Sequence, residues 1–84
     1  MSITWKKRPD DAPTFEADYT AEGTPFEGEL WEDLEIGTAK SIFYFYVRGE
    51  KPLIVQLESP IYYCFEQCRT AAEAVLTALE KAIP

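Results

Sequence analysis

The side chains best suited to chemistry lie between residues 15 and 35, in FEADYTAEGTPFEGELWEDLE, which holds eight carboxylates and no base. Apolar and acidic residues alternate on both sides of a turn at Gly23, which predicts a β-hairpin. The register that matches the apolar side chains also sets acidic ones against each other. It places Tyr19 opposite Phe26, Asp18 opposite Glu27 and Glu16 opposite Glu29.

Such a hairpin would carry carboxylates with the spacing of a nucleic-acid backbone. Alternate side chains of one strand stand about 6.8 Å apart, close to two phosphate steps of roughly 3.4 Å each. Trp31 has the same parity as Glu29 and would be an aromatic anchor on this face; the alternative is that a bulge turns it inward, where it would anchor the sheet edge to the core. We therefore predict a surface for a basic protein partner, and the alternative is a solvated face that protects a strand edge. The candidate partner-binding residues are Glu16, Asp18, Glu27, Glu29, Trp31, Glu32, Asp33 and Glu35.

The overall charge is consistent with this prediction. The formal net charge is −7, and residues 10–35 hold ten acids and no base. Nucleic acid and anionic membranes require clustered Lys and Arg, so both are disfavoured as direct partners. The longest apolar run, 42–47, is shorter than the roughly 18 residues of a membrane span. No apolar segment follows the N-terminal bases, so we predict a cytoplasmic protein without a signal peptide.

The composition also argues against catalysis. The chain has no histidine, which excludes Ser–His and Cys–His nucleophiles. It lacks a glycine-rich phosphate loop, and 84 residues leave little room for a deep cleft. Cys64 and Cys68 would supply only half of a zinc site, and such residues more often pack in a core. We predict no enzyme activity, no catalytic residue, no cofactor and no metal.

The strongest secondary-structure signal is SIFYFYVRGEKPLIVQLES, which predicts a hairpin of strands 41–48 and 53–58. Apolar residues then recur every three or four positions from Ile61 to Ile83 and predict one helix, with Ser59 as N-cap and Pro60 in its first turn. The alternative begins the helix at Thr70 and leaves 61–67 as a strand.

These elements predict one α+β domain spanning residues 1–84. Residues 1–12 form an N-terminal arm or edge strand, 13–58 an antiparallel sheet of four to five strands, and 60–83 a C-terminal helix. The helix packs on one face of the sheet and completes two layers. Either the phenylalanines or the tyrosines of 43–46 then remain partly exposed on the other face, where they could bind protein.

The predicted function is that of a small acidic module that binds and modulates a basic protein. In size and charge the chain resembles compact phage and prophage proteins, including inhibitors of bacterial defence systems, and this likeness is compositional. Presenting carboxylates in place of nucleic acid is the predicted mechanism. The alternative is a structural or assembly protein, or a homodimer formed through a sheet edge or the aromatic face. Weak nucleic-acid binding by the remaining, slightly basic part of the chain is the least favoured prediction.

Overall fold

The structure, a computed structural model, describes residues 2–83 as a five-stranded sheet with one long helix. The strands follow chain order in the sheet, and each neighbouring pair is antiparallel. The predicted α+β architecture of two layers is confirmed. Its elements are β1 (Thr4–Lys7), β2 (Tyr19–Glu22), β3 (Glu27–Leu34), β4 (Ser41–Gly49), β5 (Val55–Glu58) and α1 (Phe65–Lys81).

The core lies between α1 and one face of the sheet. Alternate residues of β3 and β4 point toward the helix, as the period of two along a strand requires. The predicted helical stripe is confirmed from Phe65 onward, because its members at 68, 72 and 76 are buried. Burial of one large aliphatic side chain contributes about 1.5–3 kcal/mol. The buried cluster consists of Phe26, Leu30, Phe43, Phe45, Val47, Cys68, Ala72 and Leu76.

The helix begins later than the predicted start at Pro60, with Cys64 as its N-cap residue. Ser59 does not cap the helix, since its hydroxyl accepts a hydrogen bond from the Phe45 amide at 2.8 Å. Tyr62 then exchanges two backbone hydrogen bonds with Phe43, both at 2.8 Å. The chain therefore stays beside β4 for several residues beyond β5, and this pairing takes precedence over the Ser-Pro capping signal.

The chain segment that follows β5 contains one extra residue relative to β4, beside which it runs. Phe45 pairs with Ser59 and Phe43 with Tyr62, so a step of two residues in β4 faces a step of three in the neighbouring chain. This is the count of a β-bulge, a position where proline is tolerated because it has no amide to donate. The alternative helix start at Thr70 is also wrong, because α1 already includes residues 65–69.

The predicted register of the acidic hairpin is wrong by four residues. Tyr19 lies opposite Leu30 instead of Phe26, and β2 begins at Tyr19. The shift is even, so the residues that pair keep their predicted faces, whereas Phe15, predicted to lie on the core side opposite Leu30, precedes β2 and is 79% exposed. Tyr19 packs against Phe65 of the helix with ring centroids 4.9 Å apart. Residues 9–17, which include the predicted first half of that hairpin, form turns and irregular structure.

The predicted N-terminal edge strand is present as β1. It pairs with β2 at four positions, including Trp5 opposite Ala21, whereas β2 pairs with β3 at only two. The indole of Trp5 donates a hydrogen bond to the Glu73 carboxylate of α1 at 3.0 Å. Strands β1 and β2 therefore form a two-stranded ribbon that is joined to the sheet by a short seam and to the helix by this hydrogen bond.

Candidate functional site

The sheet face that points away from α1 carries the candidate site, and we call it the open face. Leu30 and Val47 point into the core, so their neighbours along β3 and β4 point the other way. The registers extend this face across all five strands. Its strand residues are Thr4, Lys6, Thr20, Glu22, Glu27, Glu29, Trp31, Asp33, Ile42, Tyr44, Tyr46, Arg48, Gln56 and Glu58.

Three aromatic residues form the centre of the open face. Trp31 of β3 lies opposite Tyr44 of β4, and Tyr46 follows two residues later on the same side. The rings of Tyr44 and Tyr46 meet edge to face, with centroids 5.7 Å apart and planes at 88°. All three side chains are half-buried. The tyrosines are thus the pair that remains partly exposed, and the phenylalanines of 43–46 face the helix.

Carboxylates surround this aromatic cluster. Burial raises the pKa of Tyr44, and the negative charges of Asp33, Asp18 and Glu58 raise that pKa further. Burial also raises the pKa of Tyr46, together with the charge of Glu58 and a hydrogen bond from the Tyr46 hydroxyl to that carboxylate at 3.2 Å. The smaller, electrostatic part of both pKa shifts comes from these carboxylates, so negative charge lies close to both phenols.

The open face is acidic overall. Its strand residues include five carboxylates and two cationic groups, so three negative charges are in excess. The cations are Lys6 on the outer strand and Arg48 on β4. The carboxylates are Glu22, Glu27, Glu29, Asp33 and Glu58.

The predicted opposition of carboxylates across the hairpin is absent. Thr20, not Glu16, lies opposite Glu29, whose carboxylate forms an ion pair with Arg48 of β4. Glu16 precedes β2 and is exposed, and its backbone carbonyl accepts a hydrogen bond from Arg8 at 2.8 Å. The four-residue register shift is the reason, because it moves both acids of the N-terminal half out of the paired region.

Asp18 has a structural role at the start of the seam. Its carboxylate accepts a hydrogen bond from the backbone amide of Glu32 at 2.8 Å and lies 3.6 Å from the guanidinium of Arg8. This carboxylate therefore joins the chain before β2 to β3. It also contributes negative charge near the aromatic cluster, although it was predicted to face Glu27.

Of the four remaining candidates, two lie on the open face and two do not. Glu27 and Asp33 are exposed on the open face, on either side of Trp31 along β3. Glu32 has the opposite parity and lies opposite Phe43, so it is not part of this face. Glu35 follows β3 and accepts hydrogen bonds from the hydroxyls of Tyr63 at 2.6 Å and Thr38 at 2.9 Å.

A groove of about 420 Å³ crosses the open face from Trp31 to β5. Arg48 and Glu58 belong to it, and neither was among the predicted site residues. Their parity with Tyr46 along the β4–β5 hairpin was the available signal, since it places all three on one face. The lining residues are Glu29, Trp31, Tyr46, Arg48, Gln56, Leu57 and Glu58.

Residues 2–83 also bear on two further classes of site, metal centres and membrane-spanning helices. No group of three His, Cys, Asp or Glu side chains in this range is arranged to hold a metal ion. No helix within it combines the length and apolar character needed to cross a membrane. No protein-family model, curated protein or solved structure matches this chain.

Proposed function

We propose that this protein is a non-enzymatic binding module whose open face docks a basic surface of another protein. The observation that carries the proposal is the cluster of Trp31, Tyr44 and Tyr46, half-buried on an uncovered sheet face and surrounded by carboxylates. Aromatic residues at the centre with charged groups around them are typical of protein interfaces.

The charge of the open face selects the class of partner. An excess of three negative charges attracts a cationic surface and accelerates the encounter. The same negative charge repels nucleic acid and the open face of a second copy of this protein. The proposed partner is therefore a protein rich in Lys and Arg.

A narrower form of the proposal is inhibition of a nucleic-acid-binding protein, as in phage-type inhibitors. Glu27 and Glu29 are alternate residues of β3 and stand about 6.8 Å apart. The ion pair of Glu29 with Arg48 makes the pattern less like a phosphate backbone than the sequence predicts. The basic partner is therefore the main proposal, and competition with nucleic acid is its more specific form. We also propose action in the cytoplasm, where the free thiols of Cys64 and Cys68 would persist.

The second candidate is a homodimer formed edge to edge through β5. This strand is an edge of the sheet, and Ile54 and Leu57 are exposed large apolar residues at it. An open edge with exposed apolar residues is a template for pairing with another chain. A mass that rises with concentration in sedimentation would support this candidate.

The test of the basic-partner proposal is capture of partners by two variants of equal charge. Asp33→Lys with Glu58→Lys reverses two open-face acids, and Asp11→Lys with Glu50→Lys reverses two exposed acids elsewhere. Each captured protein is then purified and its affinity is measured directly at low and high salt.

We expect the open-face variant to bind the purified partner at least about tenfold more weakly, because like charges then meet across the interface. The control variant and the wild type should bind alike, and salt should weaken both. Equal binding by all three proteins would contradict the proposal.

A further inference from the structure

We propose that the groove between Trp31 and β5 binds an arginine side chain of the partner, with the guanidinium between the aromatic rings and the Glu58 carboxylate. The inference rests on the proposed function and specifies which group of the basic partner is recognised. Three features support it: the composition of the groove walls, the hydrogen-bonding capacity of Glu58, and the presence in the groove of another guanidinium, that of Arg48.

The groove walls combine aromatic rings with carboxylates. Trp31 and Tyr46 contribute the rings, and Glu29 and Glu58 the negative charges. Ring faces attract cations through their quadrupole, by about 0.5–1 kcal/mol at exposed sites and more when water is excluded. The volume of about 420 Å³ lies within the range of roughly 300–1,000 Å³ found for ligand pockets. The groove therefore has room for a long side chain and part of its backbone.

Arg48 already forms a guanidinium–carboxylate pair in the groove. Its guanidinium pairs with the Glu29 carboxylate, and its positive charge partly offsets the rise in the pKa of Tyr46. About half of its side chain, 51%, remains exposed. One guanidinium–carboxylate pair is thus already present among the residues that line the groove. The other carboxylate, Glu58, is where an incoming guanidinium would repeat the arrangement.

Glu58 has unused acceptor capacity. In residues 2–83 its side chain receives one hydrogen bond, from the neutral Tyr46 hydroxyl at 3.2 Å, and it takes part in no ion pair. An ionised carboxylate has about four acceptor positions and accepts two parallel bonds from arginine. Glu29 and Glu58 together outweigh Arg48 by one negative charge, so a cation is favoured over an anion in the groove.

Arginine fits these walls better than lysine. Its guanidinium is planar, stacks on aromatic rings and forms paired hydrogen bonds with a carboxylate, whereas lysine presents a compact and strongly hydrated ammonium. Trp31 and Tyr46 provide the stacking surface and Glu58 the paired acceptors. Discrimination between the two cations is therefore a property that the test must include.

The probes are three short peptides, tri-arginine, tri-lysine and tri-citrulline, titrated into ¹⁵N-labelled protein. Citrulline keeps the shape of arginine but has no charge. The readouts are the indole N–H signals of Trp31, which lines the groove, and Trp5, which donates to Glu73 on the opposite side of the sheet. The variants are Glu58→Gln and, as a matched control, Glu50→Gln in the turn after β4.

We expect tri-arginine to shift the Trp31 signal saturably and leave the Trp5 signal in place, with tri-lysine weaker and tri-citrulline inactive. Glu58→Gln should weaken tri-arginine binding about tenfold, as expected when a charge-assisted hydrogen bond is lost. Glu50→Gln should leave it unchanged. Because Glu58 is exposed, an unmoved Trp5 signal in the variant also reports an intact fold.

Equal shifts from tri-arginine and tri-citrulline, equal affinity for arginine and lysine, or no effect of Glu58→Gln would each overturn the inference. So would a shift of Trp5 in place of Trp31. The proposed function fails separately, if the purified partner binds the Asp33 and Glu58 reversal variant as well as it binds wild type. If tri-arginine binds in the groove but the partner binds the reversal variant as well as wild type, the groove recognises arginine and the proposed docking of a basic partner on the open face is wrong.

Discussion

Gly28 is the position where a single methyl group should reveal how closely β2 and α1 pack around β3. It lies in β3 on the helix side, opposite Val47. A Cβ atom built at Gly28 would lie 2.9 Å from the Cβ of Ala21 in β2 and 3.2 Å from a terminal methyl of Leu76 in α1. The nearer contact is with a side chain that has no rotamer to change, so the backbone must move. We therefore expect Gly28→Ala to destabilise the protein.

The magnitude follows from two opposing effects. Replacing glycine by alanine ordinarily stabilises by about 0.4–1 kcal/mol, because the unfolded chain loses conformational freedom. Over-packing of a core costs typically about 1–3 kcal/mol. The net loss in the free energy of unfolding should be about 1–2 kcal/mol. For a chain of this size each kcal/mol lowers Tm by roughly 4–8 °C.

Urea unfolding followed by circular dichroism would measure this loss, and a double-mutant cycle would locate it. Ala21→Gly removes the closer of the two contacts, so it should recover part of the stability in the double variant, with a coupling energy of about 1 kcal/mol. Gly37→Ala is the control: its φ is +93° and no atom lies within 4 Å of its added Cβ, so its cost is backbone strain without coupling to Ala21. Gly28→Ala as stable as wild type, or no coupling with Ala21→Gly, would refute the close packing.

Two further predictions concern ionisable groups. Burial raises the pKa of the Cys68 thiol to about 11, whereas Cys64 is exposed. A thiol reagent near pH 8 should therefore label Cys64 promptly and Cys68 only after denaturation. Rapid labelling of both cysteines in the native protein would contradict this prediction. Hydrogen bonds from Tyr63 and then Thr38 lower the pKa of Glu35, so Tyr63→Phe should raise that pKa toward its ordinary value in an NMR pH titration. Because the pKa of Glu35 is lower in the folded state, its ionisation stabilises the fold at pH values above the unfolded pKa, and this stabilisation is lost as the pH falls through the folded pKa. The wild type and Tyr63→Phe should therefore have similar stability in acid. An unchanged Glu35 pKa in the variant would contradict the role of the hydrogen bond.

The sequence predicts the central hairpin and the core side of α1 because both have clear periodicity. It does not determine the register of the acidic hairpin, since Tyr19 can lie opposite either Phe26 or Leu30 without changing faces. Pairing of Trp5 with Ala21 and packing of Tyr19 on Phe65 select the second register. Both are contacts between distant parts of the chain, which local alternation does not contain.

For the candidate site, too, the sequence predicts what depends on one strand and not what depends on contacts between strands. Parity along β3 correctly places Glu27, Glu29, Trp31 and Asp33 on one face. Partners from other strands were missed, notably Arg48, because an ion pair between strands depends on the register. The helix start was missed for a related reason: an interstrand pairing outweighed a local capping signal.

The narrow seam between β2 and β3 has a consequence for how the molecule opens. In the described residues the backbone ladder between β2 and β3 has two paired positions, and the N-terminal ribbon is otherwise held by the indole–carboxylate bond from Trp5 to Glu73 and by the packing of Tyr19 on Phe65. Local opening in proteins tends to follow such sparsely bonded units. We therefore expect the ribbon to open before β3–β5 and α1 unfold, which would uncover the backbone of β3 as a new sheet edge.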